Sequence, residues 1–321
     1  MTRILVLGGT GFVGRDVCEK ASQLQCRVTV PTRRMESAKA VWSLPWVDPI
    51  QADIHDQAAL TRLVHGHDAV VNLVAILHGT QAEFSRVHVE LVQKLVNACK
   101  TAGVKRVVHV SALGAATGAA SMYQRSKAQG EAVLAASGLD VSIIRPSVIF
   151  GAGDQFLNLF AKLQAVFPII PLAGAEARFQ PVWVEDVAQA IVNLLRDRAA
   201  VGAAGGQGQA PVYEACGPDL FTLKELVQLA GRLSENRRPV FALPDSLARL
   251  QARLMELAPG RPLMSRDNLD SMRSDNVAGG VLPDLKALGV TPSALSAIAP
   301  LYLHPRETSL LLARRRAAGR L

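Results

Sequence analysis

The feature that most constrains the fold is a regular alternation of short apolar segments with helix-like ones over the first 145 residues. The predicted strands cover residues 4–7, 27–30, 50–54, 69–74, 106–110 and 141–145. The predicted helices cover residues 12–24, 57–64, 82–101 and 119–136. Apolar strands that alternate with helices become parallel strands buried on both faces. The pattern therefore predicts an α/β fold with a doubly wound parallel sheet.

Beyond Pro146 the alternation loosens, which indicates a second, smaller part of the chain. We predict that residues 1–150 form the core of the sheet, completed by 179–217, and that 151–178 and 218–303 form a small, mostly helical C-terminal lobe. Residues 304–321 are expected to be a basic tail. Residues 198–211, rich in Ala, Gly and Gln, are expected to form a surface loop. Thr222 and Glu225 make a capping box that opens a helix.

The turn between the first strand and the first helix carries glycines at positions 8, 11 and 14. Small residues let the backbone turn tightly and approach a pyrophosphate, and the following helix offers unpaired N–H donors. The alternative is an ordinary glycine-rich turn, but the strand-turn-helix context favours a phosphate cradle. The predicted dinucleotide-binding residues of this turn are Gly8, Thr10, Gly11, Phe12, Val13 and Gly14.

The end of the second predicted strand indicates which dinucleotide is bound. An acidic side chain there would suit the ribose of NAD and repel a 2′-phosphate. The sequence instead places Arg33 and Arg34 after Thr32, with no carboxylate before Glu36. A guanidinium donates two charge-assisted hydrogen bonds to a phosphate. This favours NADP(H) over NAD(H), with a solvated basic loop as the alternative interpretation.

A serine, a tyrosine and a lysine follow at positions typical of a reductase. Ser111 comes directly after the fifth predicted strand, and Tyr123 and Lys127 share one face of the next helix. An ammonium near a phenol is expected to lower the pKa of the tyrosine, which could then exchange a proton with a carbonyl or hydroxyl group. Ser111 would orient the same oxygen. We therefore take Tyr123, Lys127 and Ser111 as the candidate catalytic residues.

Composition and charge exclude several classes of protein. The chain is 49% hydrophobic and 19% charged, as in a globular protein with an ample core. Its four cysteines are scattered and lack histidine partners, so we expect neither a metal site nor disulfides. Half of the net charge of +8 lies in residues 306–321, with five arginines and one glutamate, so no nucleic-acid surface is expected.

The sequence also favours a cytoplasmic protein. No apolar run approaches the roughly 20 residues of a membrane-spanning helix. The first predicted strand begins too early to leave room for a signal peptide. The basic tail is compatible with contact to an anionic membrane or a protein partner, or with a frayed terminus. We therefore expect a cytoplasmic chain that could associate with the periphery of the inner membrane.

Together these motifs resemble the extended and atypical short-chain dehydrogenase/reductases, a Rossmann-fold superfamily. One branch fits best, the branch of the nucleotide-binding accessory subunit of respiratory complex I and its bacterial relatives. The resemblance covers nearly the whole chain to about Leu303. The stretches that carry it are residues 30–33, 71–73, 109–113, 145–159, 179–187, 266–268 and 274–277.

The resemblance implies roles for individual residues. Gly8, Gly11 and Gly14 would cradle the pyrophosphate and Arg33 would meet the 2′-phosphate. Lys127 would hold the nicotinamide ribose. At the end of the third strand, Asp53 and Ile54 would flank the adenine. At the end of the fourth strand, the residues that would line the nicotinamide side are Asn72, Leu73, Val74 and Ala75. Arg34, Pro146 and Val148 are further cofactor-binding candidates, and Gln180 is a candidate ligand of nucleotide or substrate.

The sequence departs from the wider superfamily at two places. Only 12 positions separate Ser111 from Tyr123, and the loop of residues 112–122 is mostly Ala and Gly. His88 stands where the superfamily usually has asparagine. The favoured function is NADP(H) binding in a structural or regulatory role, linked to quinone or the respiratory chain through a membrane-associated partner. The alternatives are an active NADP-dependent reductase or epimerase and a redox-sensing regulator that reports the NADPH level.

Overall fold

The computed structural model describes residues 1–196, 210–257, 260 and 262–304 of the chain. The first six strands are β1 (Arg3–Leu7), β2 (Arg27–Thr32), β3 (Val47–Gln51), β4 (Ala69–Asn72), β5 (Arg106–Val110) and β6 (Asp140–Pro146). The helices among them are α1 (Phe12–Gln23), α2 (Lys39–Trp42), α3 (Gln57–Val64), α4 (Gln81–Ser85), α5 (Leu91–Ala102) and α6 (Met122–Ala135). The predicted alternation of strands and helices is confirmed.

The strands form one seven-stranded parallel sheet. Its order is β11-β6-β5-β4-β1-β2-β3, where β11 is Val212–Ala215. The strand order reverses between β1 and β4, which lie side by side. In doubly wound sheets ligands bind at the carboxyl ends of the strands at this switch point. The glycine turn follows β1 directly, so it lies at this edge of the sheet.

Apolar side chains from both the strands and the helices fill the core of the sheet. Helix α5 buries residues three and four positions apart, including Leu91, Leu95 and Cys99. They pack in one cluster with Leu60 of α3 and Leu134 of α6. The helical periodicity of the sequence thus places one face of each helix against the sheet.

Three predicted boundaries are wrong, each for a local reason. Strand β3 pairs with β2 from Val47 to Gln51, so it begins and ends three residues earlier than expected. Strand β4 ends at Asn72, because the Asn72 side chain accepts a hydrogen bond from the Val74 N–H and turns the chain. The predicted helix 82–101 is interrupted by a turn of π-helix, Arg86–Glu90, between α4 and α5.

The described chain divides into two compact units. The first contains residues 1–146, 185–215 and 279–291, and the second contains 147–184, 216–278 and 292–321. The first segment of this unit ends four residues before the predicted boundary at 150, and the unit includes residues 279–291, which belong to the predicted smaller lobe. The Glu214 N–H donates to Pro283 O at 2.9 Å and the Gly279 N–H to the Glu214 side chain at 2.8 Å, which attaches this segment to β11.

The second unit combines helices with three small two-stranded sheets. The paired strands are β7 (Ile149–Phe150) with β10 (Val182–Trp183), β8 (Ile170–Leu172) with β13 (Val240–Ala242), and β9 (Arg178–Phe179) with β12 (Phe221–Thr222). The remaining α-helices of the described residues are α7 (Leu157–Val166), α8 (Val184–Arg196), α9 (Leu223–Leu233), α10 (Asp245–Leu257), α11 (Arg266–Ser271), α12 (Leu295–Ile298) and α13 (Pro300–Leu303). The capping box of Thr222 and Glu225 opens α9, as predicted.

Two predicted segments lie outside the described residues: 198–209 of the expected loop and 305–321 of the expected tail. Within the described ranges, no helix combines the length and the apolar character needed to cross a bilayer.

Candidate functional site

The glycine turn leaves no space for side chains at its two ends. Gly8 has φ +84°, in the left-handed region that favours glycine, and packs against the backbone of Leu73. A Cβ on Gly14 would overlap the carbonyl oxygen of Gly8 and lie 2.6 Å from Cα of Gly9. The turn and the first turn of α1 therefore pack backbone against backbone.

The amino terminus of α1 is open to an anion. Its N-cap residue, Gly11, has no side chain to accept from the helix, and the first turn carries no acidic residue. The first N–H groups of a helix lack intrahelical partners and carry a partial positive charge. A diphosphate fits these donors, so the residues present can hold the pyrophosphate of a dinucleotide.

Two arginines stand at the end of β2 with free guanidinium groups. Arg33 and Arg34 are both exposed, and the Thr32 hydroxyl donates to Arg34 O at 2.9 Å, which orders the backbone between them. Among the described residues, no carboxylate forms an ion pair with either guanidinium. This edge of the sheet thus presents two unpaired cations.

The residues after β3 hold their own loop together. Asp53 accepts the His55 N–H at 2.9 Å, and Ile54 packs against the apolar core. Both follow β3 directly, on the same edge of the sheet as the glycine turn.

The Asn72 side chain is buried and forms a hydrogen bond with the backbone. Its amide oxygen accepts the Val74 N–H at 3.2 Å, and its amide nitrogen lies 3.1 Å from Nδ1 of His109. The Leu73 N–H donates to Leu7 O at 2.9 Å, which brings this segment against the end of β1. Asn72 therefore shapes the chain after β4 through contacts that the sequence did not indicate.

The hydroxyl of Ser111 is buried without a partner. Its Oγ accepts and donates no hydrogen bond among the described residues, although the residue is only 4% exposed. The Ser111 N–H donates to Ile144 O at 2.7 Å, so the backbone is fixed while the hydroxyl is free. A buried polar group without a partner is destabilising and calls for an explanation, such as a catalytic role or a bound water or ion.

Lys127 reaches the strand end next to Ser111. Its Nζ donates to Val110 O at 2.7 Å, and the side chain is 2% exposed. Desolvation lowers the pKa of Lys127 to about 8, and the Glu131 carboxylate opposes that shift. Among the described residues, Val110 O is the one acceptor bonded to this ammonium, so its two other protons are open to a ligand.

The pKa of Tyr123 is shifted in the direction opposite to the one predicted. Desolvation raises the pKa of Tyr123 to about 12, so the phenol is protonated at neutral pH. The expectation that Lys127 lowers the pKa of Tyr123 is wrong for this structure, because the one cause of the shift is burial of the phenol itself. A protonated phenol can act as a proton donor.

The loop before Tyr123 is held by backbone and arginine contacts. Arg125 donates to Ala119 O and Ala120 O, each at 2.7 Å, and Ser121 caps α6 by accepting the Gln124 N–H at 3.4 Å. Pro146 is buried, and its carbonyl accepts the Leu113 N–H at 2.9 Å. The small residues of the loop thus permit close packing around α6.

In the second unit, Gln180 and Val148 have backbone partners. The Gln180 side chain accepts the Ala278 N–H at 3.0 Å and donates to Gly217 O at 2.8 Å. Gln180 therefore joins backbone segments, which differs from the ligand role suggested by the sequence. The Val148 N–H donates to the side chain of Asn276 at 3.0 Å, so the motif around Asn276 is explained by folding.

The structure also reveals a histidine network that sequence reasoning missed. His88 lies on the π turn, 3% exposed, with its ring 5.6 Å from that of Tyr123. Desolvation, together with the nearby Lys127 ammonium, lowers the pKa of His88 to about 3. Desolvation, the Lys127 ammonium and His88 lower the pKa of His109 well below its usual range. The only signal in the sequence was the histidine in place of asparagine at position 88.

Comparisons with known proteins agree with this geometry. A family model described as the NAD dependent epimerase/dehydratase family matches residues 4–205. The mitochondrial NADH dehydrogenase (ubiquinone) 1 alpha subcomplex subunit 9 of Mus musculus is 31% identical over 297 residues, which span 90% of this chain and 76% of that protein. The ceramide reductase of Caulobacter vibrioides is 30% identical over 195 residues, 60% of this chain and 61% of that protein.

Solved structures of low sequence identity share the fold. The dTDP-glucose 4,6-dehydratase of Streptomyces venezuelae, with NAD bound, has a TM-score of 0.70 at 22% identity, covering 94% of this chain and 96% of that one. The NADPH-dependent quinone oxidoreductase of Escherichia coli, in complex with NADPH, has a TM-score of 0.68 at 19% identity, covering 92% and 97%.

The family match covers more than half of the chain, and the mouse relative is similar over nine-tenths of it. The resemblance to the branch of the complex I accessory subunits is confirmed. The chain belongs to the NAD dependent epimerase/dehydratase family.

Proposed function

We propose that this chain binds NADP(H) and uses it in a structural or regulatory role, as an accessory protein of a quinone- or respiratory-chain-linked assembly. The observation that carries the proposal is the pair of free guanidiniums on Arg33 and Arg34, at the end of the strand that faces the adenine ribose in this fold. A 2′-phosphate would accept charge-assisted hydrogen bonds there. An NAD ribose would find no carboxylate before Glu36.

The accessory role is supported by similarity to proteins named as NADH dehydrogenase subunits. We propose that this chain likewise works at the periphery of a membrane-associated respiratory assembly, on the cytoplasmic side of a bacterial inner membrane. Gly8, Gly11 and Gly14 would hold the pyrophosphate. Asp53 and Ile54 would flank the adenine, and Lys127 the nicotinamide ribose.

The test is to identify the nucleotide retained by the full chain after purification, by mass spectrometry. NADPH and NADH are then titrated by fluorescence. We expect co-purified NADP(H), tighter binding of NADPH than of NADH, and no consumption of bound NADPH during incubation. Tighter binding of NADH would contradict the assignment of the nucleotide, and rapid oxidation of NADPH by small carbonyl compounds would contradict the accessory role.

The buried hydroxyl of Ser111 favours a second candidate function, an active NADP-dependent reductase or epimerase. A free hydroxyl beside the desolvated Lys127 is suited to orient a substrate oxygen. Bound nicotinamide supplies the hydride. Tyr123, protonated at neutral pH, would donate its proton to a carbonyl oxygen.

Replacing Tyr123 by Phe separates the two candidates. If the protein is a reductase, NADPH oxidation with an aldehyde or a short-chain quinone should fall by at least about 100-fold, because proton transfer supplies roughly that factor. NADPH affinity should stay within about twofold. Turnover that survives this change would rule out the Ser–Tyr–Lys mechanism, and wild-type protein without turnover leaves the accessory role as the better account.

A further inference from the structure

Two buried side chains, Asn72 and His88, hold the chain segment that follows β4. At its start, Asn72 fixes the Val74 N–H and contacts His109. At its end, the Ile76 N–H donates to Nε2 of His88 at 3.1 Å. We call residues 73–76 the β4 loop. Its backbone is therefore tied to two side chains from other elements.

Hydrogen bonds fix the tautomer of His88. The Ser126 hydroxyl lies 2.8 Å from Tyr123 O, which can only accept, so its single proton is used there. Nδ1 of His88, 2.8 Å from Ser126 Oγ, must then carry a proton and donate it. Nε2 accepts from Ile76. A doubly protonated ring would set one N–H against another, so the site holds a neutral imidazole.

The surrounding backbone is shaped to place this ring. His88 sits on the π turn Arg86–Glu90, and such turns are frequent at functional sites. A Cβ on Gly130 of α6 would overlap the carbonyl oxygen of His88. The close approach of the α6 backbone to the π turn therefore requires glycine at position 130. The His88 ring also packs against Phe84 and, edge-on, against Tyr123.

We propose that His88 is a positioning residue that ties the β4 loop to the helix carrying Tyr123 and Lys127, and so sets where the nicotinamide half of a dinucleotide lies. The chain of contacts runs from Ile76 through His88 and Ser126 to the backbone of Tyr123. This inference rests on the proposed function, in which Leu73, Val74 and Ala75 line the nicotinamide side.

The experiment compares two ligands in the full chain by calorimetry. NADPH carries the nicotinamide, whereas 2′-phospho-ADP-ribose carries only the adenine, the phosphates and the riboses. For His88→Leu we expect NADPH affinity to fall about tenfold, as for the loss of one buried hydrogen bond. Affinity for 2′-phospho-ADP-ribose should change less than twofold. His65→Leu, at an exposed histidine of the same unit, is the matched control.

Two conservative variants sharpen the comparison. Glutamine places its terminal atoms as many bonds from Cβ as Nε2, so His88→Gln can still accept from Ile76 and should bind NADPH within about threefold of wild type. Asparagine reaches only as far as Nδ1, so His88→Asn should resemble His88→Leu. If His88→Leu does not fold, this pair makes the same comparison.

Equal loss of both ligands in the variants would overturn the proposal, because it would indicate a role in the whole fold. Unchanged NADPH affinity would overturn it as well. If wild-type protein bound neither ligand, the proposed function would fail instead, and the two failures are therefore distinct.

Discussion

The two ends of the proposed nucleotide site differ in the groups that form them. The phosphate end, formed by the glycine turn of residues 8–14 with Arg33 and Arg34, relies on backbone N–H groups and exposed charges. The buried end, formed by Ser111, Tyr123 and Lys127 with His88 and His109, relies on desolvated side chains, several of which contact one another or the backbone.

The difference shows how each end achieves specificity. At the phosphate end, glycines without side chains determine the backbone geometry of the turn. The charges there belong to the exposed guanidinium groups of Arg33 and Arg34. At the buried end desolvation keeps the phenol protonated, both histidines neutral and the lysine close to losing its proton. The first end can hold an anion without further change, whereas the second is sensitive to every added or removed hydrogen bond.

Replacing Gly14 by Ala should have the largest effect. The new Cβ would overlap the Gly8 carbonyl, and backbone cannot yield as a flexible side chain does. We expect NADPH affinity to fall by at least about 100-fold, together with a lower melting temperature. Gly279→Ala is the control, since its Cβ would meet only Glu214 at 3.5 Å. Unchanged affinity in Gly14→Ala would mean that the turn does not cradle the pyrophosphate.

Replacing Arg33 by Ala should act on one nucleotide only. Loss of a charge-assisted bond to a 2′-phosphate should weaken NADPH binding by about 10- to 100-fold, while NADH affinity changes less than twofold. The exposed Arg62 of α3 offers a matched control, since Arg62→Ala removes the same charge elsewhere. Fluorescence titration of both nucleotides measures the ratio. Equal weakening of NADPH and NADH would argue against a 2′-phosphate contact.

Lys127 should make the stability of the buried end depend on pH. Its pKa is lowered to about 8 from 10.5, so between these values the unfolded chain binds the proton that the folded chain has released. The folded state therefore gains stability as pH rises through this window. We expect the free energy of unfolding of wild type, relative to Lys127→Met, to rise by about 2 kcal/mol between pH 7.5 and 10.

Denaturant unfolding at several pH values provides this measurement. Comparison with the variant removes the contributions of the groups that titrate in both proteins. A difference between the two proteins that did not vary with pH would show that the pKa of Lys127 is the same in the folded and the unfolded chain.

Ser111→Ala should have the smallest effect on folding. Its hydroxyl has no partner to lose, so the free energy of unfolding should change by less than about 0.5 kcal/mol or increase. Ser137→Ala is the contrasting control, because the Ser137 hydroxyl donates to Leu134 O at 2.6 Å and accepts the Leu139 N–H. That change should cost about 1 kcal/mol. A destabilised Ser111→Ala would reveal a partner for the hydroxyl within the protein.

The phosphate end could be predicted from the sequence because its signals are local. The glycines follow an apolar strand and precede a helix, and Arg33 follows the next strand, so spacing alone placed them on one edge of the sheet. The position of Ser111 directly after β5 follows from the same alternation.

The buried end could not be predicted as fully, because its properties depend on contacts between distant residues. The bond from Lys127 to Val110 O spans 17 positions, and the bond from His88 to Ser126 spans 38. Neither the direction of the Tyr123 pKa nor the role of Asn72 follows from spacing. The sequence predicts one continuous helix over residues 82–101 because neither proline nor glycine interrupts it, so the π turn could not be predicted.

That π turn also has a consequence for insertions and deletions in the gene. A π turn holds one residue more than an α turn, and each residue of a helix advances the face by about 100°. Deleting one residue from Arg86–Glu90 would close the turn into α-helix and rotate either α4 or α5 by that angle relative to the sheet. After that rotation, Leu91 and Leu95 could remain in the apolar core only if His88 moved away from its present position. The length of this segment is therefore expected to be fixed even where its residues vary.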